Sequence, residues 1–189
     1  MAEDITPRWD ALKCALAAID PAILANLHPG ADDERIARLH AGARVPLPAD
    51  LEALYRENDG EGRLGFDFQS PAAVFSVADP RHASGANDYW FMPIDGPDGV
   101  VAELTAFAEA APYRAESEWM ERSGPVRAHS PGWIPFAKDF GGNFLCLDLD
   151  PESGGTRGQI IEVAYDDSRI RVVASGLAEL LEDRLRRLR

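Results

Sequence analysis

A chain of 189 residues that is 46% hydrophobic is long enough for one substantial core and short for two, so a single domain over residues 1–189 is expected. The net charge of −13 is unevenly placed: four of the 19 basic residues (Arg184, Arg186, Arg187, Arg189) fall in the last six, leaving 15 against all 32 acidic groups, a net of −17 over residues 1–183. Such a body repels phosphate backbones and steers basic partners inward, which argues against direct nucleic-acid binding, although acidity also serves solubility.

No run approaches the roughly 18 apolar residues of a membrane span. The start, Met1-Ala2-Glu3-Asp4, is acidic where a secretory leader is basic. A soluble cytoplasmic protein is therefore expected, with no membrane partner. Two cysteines are too few for a disulfide framework, and Cys14 and Cys146, each among apolar neighbours, read as buried free thiols.

Thr6-Pro7 predicts a helix start with Thr6 as N-cap, and Trp9, Leu12, Leu16 and Ile19 continue at helical spacing over residues 7–20. His28-Pro29-Gly30-Ala31-Asp32 is a turn whose aspartate caps a second helix carrying Ile36 and Leu39 inward. A third helix follows Pro48, with Leu51, Leu54 and Tyr55 on one face, and Asn58-Asp59-Gly60 ends it with a glycine suited to a left-handed cap. Leu64, Phe66 and Phe68 then alternate as a strand does. Val74, Phe75 and Val77 fit either a short strand or a helical turn. Residues 89–94 read as a buried strand ended by Asp95-Gly96-Pro97-Asp98-Gly99, and residues 100–110 as an amphipathic helix; 113–120 adds at most a turn or two of helix before loops around Gly124 and Gly132.

The strongest hairpin signal spans residues 133–150, where two apolar strands flank Lys138-Asp139-Phe140-Gly141-Gly142. Residues 159–165 and 169–174 continue it as a four-strand meander. Ser175 then caps a closing helix with Leu177, Leu180, Leu181, Leu185 and Leu188 inward, and the arginine tail suits the negative end of that helix. The order predicts an α+β fold: a mostly antiparallel, mixed, twisted sheet with a C-terminal meander, flanked by N-terminal helices and a closing helix.

Catalytic signals are sparse. Asp148 and Asp150 lie two apart on one strand and could hold a divalent metal or act as acid and base. Against that, Asp-Pro is a common exit from a strand, and the structural reading leads. Asp139-Phe140-Gly141 matches a kinase triplet in letters only, without the accompanying loop, lysine or catalytic segment. His28, His40, His82 and His129 are scattered, and no nucleophile elbow or metal-ligand spacing is present, so no catalytic residue, metal or cofactor is assigned.

The run His28-Pro29-Gly30-Ala31, Ile36, Leu47-Pro48-Ala49-Asp50-Leu51, Tyr55 and Asn58-Asp59-Gly60 resembles the N-terminal half of the SUKH superfamily, which includes fungal cell-wall glucan-synthesis regulators. Trp133-Ile134-Pro135-Phe136-Ala137, Gly141-Gly142-Asn143, Asp148-Leu149-Asp150-Pro151 and Gly158-Gln159-Ile160-Ile161 resemble its C-terminal half. The resemblance covers about residues 28–182, with the first helix packed beside it. It implies an α+β module that binds other proteins and has no catalysis. Bacterial members are typically immunity proteins that neutralise a nuclease- or deaminase-type toxin, and fungal members act in cell-wall signalling. Trp133, Pro135, Gly141, Gly142, Asp148, Asp150 and Gly158 are then the structural motif. An acidic inhibitor suits a basic toxin cleft. The expected contributors, taken as exposed loop residues, are Asp59, Glu61, Asp95, Asp98, Asp166 and Asp167, acting from a monomer or weak dimer. A scaffold or regulator of envelope synthesis is the alternative, and a metal-dependent hydrolase built on Asp148 and Asp150 is the rival of another class.

Overall fold

A computed structural model describes residues 4–62, 73–75, 89–114 and 119–188. The chain begins with α1 (Thr6–Ile19), α2 (Pro21–Ala25), α3 (Asp33–Gly42) and α4 (Ala49–Glu57). Strand β1 (Trp90–Phe91), helix α5 (Val100–Arg114) and strand β2 (Glu121–Ser123) follow. The meander β3 (Trp133–Lys138), β4 (Phe144–Asp148), β5 (Gln159–Ala164) and β6 (Arg169–Ala174) leads to α6 (Leu177–Arg187). The six strands lie in the order β1-β3-β4-β5-β6-β2, antiparallel throughout except for the parallel β2–β6 pair, so the expected mixed α+β sheet is what forms.

The meander forms because its apolar runs are separated by turns that supply the needed backbone. Strands β3, β4 and β5 are buried along almost their whole length, which means that both faces of the sheet centre are covered. Helix α5 packs against β3 and reaches the start of β4, where Phe107 meets Phe144 edge-on at 5.2 Å, and α6 packs against β5 and β6. An aromatic cluster of Trp9, Phe75, Phe91, Tyr55 and Phe136 joins the N-terminal helices to the sheet, with ring separations of 4.9 to 6.0 Å. Pro135 lies inside the sheet, a place normally closed to proline. It is tolerated at a bulge between Pro135 and Ala137, where the carbonyl of Phe136 is free to accept from Met92 N (2.9 Å).

Several local expectations are corrected. Thr6 is the first helical residue and not the cap; Ile5 holds that position and the Asp4 carboxylate accepts from Thr6 N (3.0 Å). Ile19, which continues the helical spacing of Trp9, Leu12 and Leu16, is exposed; Cys14, expected buried, is exposed too, whereas Cys146 is buried as expected. Asp20 caps the short α2, which the sequence reading missed. Val74 and Phe75 form a buried turn. Helix α5 extends four residues past the expected 110. Helix α6 begins after Gly176, and Glu179 reaches back to accept from Ser175 N (2.7 Å) and Oγ (2.6 Å), a reversed version of the expected cap. Arg184 belongs to no exposed tail: it is buried and donates to the Val74 carbonyl (3.2 Å). The alternation at Leu64, Phe66 and Phe68 and the residues His82 and Val77 lie outside the described residues.

Candidate functional site

Six carboxylates were expected to share an acidic face, and they divide into two groups. Asp59 and Glu61 are buried, not exposed. Asp59 accepts from Ile94 N (2.8 Å) with one oxygen and from Arg35 Nη1 (2.6 Å) with the other. Glu61 Oε1 accepts from Phe91 N (2.6 Å) and Val74 N (3.3 Å), and Glu61 N donates to Phe91 O (2.9 Å). Between them Gly60 adopts φ +79°, and a Cβ there would lie 2.4 Å from Pro93 N. Its glycine therefore serves a close backbone approach rather than capping α4, whose C-cap is the extended Asn58. Asn58 itself accepts from Trp9 Nε1 (3.0 Å) and donates to the His28 carbonyl (2.8 Å). The four residues after α4 thus join α1, α3, the turn at residues 73–75 and the β1 segment. Buried carboxylates are stable here because backbone N–H groups and a guanidinium replace their water.

The other four are nearer solvent. Asp95 forms a bidentate pair with Arg38 (3.0 and 2.7 Å), and that hydrogen bonding holds its carboxyl below the usual aspartate range. The pair is half-exposed and links α3 to the loop before α5. Asp98 is half-buried in that same loop. Asp166 and Asp167 are exposed in the β5–β6 turn, where Asp166 Oδ1 accepts from Asp167 N (2.9 Å) and Asp167 pairs with Arg169 (3.1 Å). Asp95 and Asp98 lie beyond the β1 edge of the sheet, while Asp166 and Asp167 lie at the far turn between β5 and β6, so no single face gathers all four.

Asp148 and Asp150 do not form a chelating pair. Asp148 is fully enclosed; one oxygen accepts from Asp150 N (3.1 Å) and the other from Gln159 Nε2 (3.0 Å), which ties β4 to β5. Burial raises its carboxyl above the ordinary aspartate range, with those two hydrogen bonds opposing. Asp150 turns the other way, accepting from Ser130 Oγ (2.9 Å) and pairing with Arg127 (3.0 Å). Among the described residues no group of three or more His, Cys, Asp or Glu side chains is placed to hold a metal ion.

The remaining motif residues hold the meander. Trp133 is buried opposite Asp148 in the β3–β4 register. Gly142 needs its glycine for φ +81°; Gly141 does not have a positive φ, but a Cβ there would press on Asn143, Asp166 and Asp139 at 3.1 to 3.4 Å. Gly158, at φ +92°, donates to the Asp148 carbonyl (2.8 Å). Among the described histidines, His28 contacts the Asp59 carbonyl through Nδ1 (3.0 Å), His40 pairs with Glu52 (3.1 Å), and His129 lies edge-on to Trp133 at 5.8 Å.

Sequence reasoning missed Glu162. It is buried on β5, accepts from Tyr89 Oη (3.0 Å) and Arg171 Nε (2.5 Å), and burial followed by its charge pushes the Tyr89 phenol upward. The signal was present as one carboxylate within the apolar run Gln159-Ile160-Ile161-Glu162-Val163-Ala164, facing arginines on the next strand. No helix among the described residues is long and apolar enough to cross a membrane.

Residues 30–183 match the SMI1 / KNR4 family (SUKH-1), close to the 28–182 expected. The chain is similar to the protein named cell wall biosynthesis/cell cycle regulator smi1 of Schizosaccharomyces pombe, 48% identical over 140 residues, which is 71% of this chain and 26% of that protein. It is 45% identical over 51 residues to the glucan synthesis regulatory protein of Neurospora crassa, covering 27% of this chain and 10% of that one. A further alignment, 32% identical over 88 residues (44% of this chain, 79% of the relative), is to cuticle protein AM1199 of Cancer pagurus. The chain spans about a quarter or less of the two fungal proteins. With more than half of its residues matched by one family, this chain belongs to the SMI1 / KNR4 family (SUKH-1).

Proposed function

We propose that this chain is a protein-binding module without catalysis of its own, and that its acidic surface engages a basic partner in the manner of an immunity protein that blocks a nuclease- or deaminase-type toxin. The observation that carries the reading is the net charge of −13, concentrated at −17 over residues 1–183. Such a charge accelerates encounter with a basic cleft and disfavours acidic competitors. The hydrolase alternative finds no support at Asp148, because both of its oxygens already serve the sheet. A second reading, regulation of cell-wall or envelope synthesis, is favoured by the names of the two fungal relatives. Both readings need a protein partner and differ in which one.

The test is retrieval of partners from the native host with the tagged chain, followed by co-expression of any retained toxin-like domain. A basic partner whose toxicity the chain relieves supports the immunity role. A partner from envelope synthesis supports the second reading. Retention of no protein contradicts the binding-module reading itself.

A further inference from the structure

Among the described residues three large apolar side chains are exposed, and two of them, Trp119 (64%) and Phe140 (40%), lie at the same end of the sheet. The register establishes this. Lys138 at the end of β3 pairs with Phe144 at the start of β4, Ala164 at the end of β5 pairs with Arg169 at the start of β6, and Glu121 at the start of β2 pairs with Arg169. Phe140 therefore tops the β3–β4 turn, Asp166 and Asp167 top the neighbouring β5–β6 turn, and Trp119 stands just before β2. The turns touch. A Cβ on Gly141 would lie 3.2 Å from Asp166 Oδ2, and Glu121 N donates to the Ser168 carbonyl at 2.8 Å. Phe140 is not a loose side chain either, since its ring rests on the buried Trp90 at 5.0 Å.

We propose that this sheet end is the surface that docks a basic protein domain, with Trp119 and Phe140 as aromatic anchors on either side of the acidic β5–β6 turn. The inference rests on the binding-module reading above and assigns it a place. Charge complementarity selects the occupant. Arg169 is drawn toward Asp167 (3.1 Å) and the buried Glu162 (3.6 Å), which leaves Asp166 and Glu121 as carboxylates of this end without an ion pair among the described residues. Guanidinium and ammonium groups of a partner find carboxylates there and, beside them, ring faces that attract cations. An exposed tryptophan costs solubility when isolated and gains value at the centre of an interface, where aromatic side chains carry a disproportionate share of the binding energy. From the β3–β4 turn to β2 the array crosses three to four strand spacings, roughly 15–20 Å, a width suited to one side of an ordinary protein interface.

The test is a nuclear magnetic resonance titration of the full isotope-labelled chain with nona-arginine at low ionic strength, a defined probe carrying the proposed chemistry. Saturable shifts are expected to concentrate at Phe140, Gly141, Asp166, Asp167 and the Trp119 indole N–H. Trp119→Ala should weaken the apparent affinity about threefold or more, Trp119→Phe should retain most of it, and Asp166→Asn should also weaken it. Glu152→Gln, on the β4–β5 turn at the opposite end, should change nothing. Shifts gathered instead around Asp33 and Glu34 of α3, or an unmoved Trp119 indole, overturn this surface and leave the acidic-module reading standing. Absence of saturable shifts anywhere overturns both.

Discussion

Asp59 carries two bonds from the interior, one accepted from Ile94 N and one from Arg35. Asp59→Ala leaves a buried N–H without an acceptor, and a loss of about 2 kcal/mol is expected, measurable by chemical denaturation. Wild-type stability in that variant would contradict the role. Asp148→Asn tests the hydrolase question from the stability side. An asparagine keeps an acceptor for Asp150 N but turns an amide N–H toward Gln159 Nε2, a donor already committed to the Pro125 carbonyl (3.1 Å) as well. A loss of about 1–2 kcal/mol is expected. Because burial raises the Asp148 carboxyl, its folded pKa exceeds the unfolded one: its contribution is full below the ordinary value of 3.8 and is lost as pH rises through the folded value. Asp148→Asn lacks that dependence, so the wild type's advantage should be largest near about pH 4 and smaller at neutral pH. The acidic letters were legible in the sequence, but their burial was not. Asn58-Asp59-Gly60-Glu61 reads as a solvated turn, and only the approach of residues 91–94, some thirty positions later, turns it inward.

At the scale of elements, what the sequence showed depended on how much of each element's cohesion comes from side chains. The β3–β6 meander was legible because apolar runs alternate with turns rich in glycine or aspartate, and the bulge at Pro135 reconciles that proline with a central strand. Strand β2 was not legible. Glu121, Arg122 and Ser123 are all exposed, and they join the sheet only through backbone pairing with β6. The five-residue α2 was hidden for a similar reason, since it buries a single side chain, Ile23. The hairpin turn offers a prediction of its own. Gly142 has φ +81° with nothing within 4 Å of a Cβ, so substitution there meets backbone strain and no clash. Gly142→Ala should cost about 1 kcal/mol and the β-branched Gly142→Val about 2 kcal/mol. Equal thermal stability of both variants and the wild type would contradict this account of the turn.

Across the whole molecule the acidic residues serve two purposes. Asp59, Glu61, Asp148 and Glu162 are interior groups that tie helices and strands together, while the carboxylates left outside set the field around the molecule. Family membership was legible from motif order, and the corrected details fall mainly on side chains whose burial depends on contacts distant in sequence. The proposed docking surface was less legible. The exposed aromatics at the sheet end become visible only once β2, the β3–β4 turn and the β5–β6 turn stand side by side. The central claim, an acidic module that binds a basic protein, is tested most directly by calorimetric titration of the wild-type chain with its purified retained partner over a series of salt concentrations. The account predicts saturable one-to-one binding whose affinity falls steadily as salt rises. Binding indifferent to salt, or no binding at any salt concentration, would contradict it.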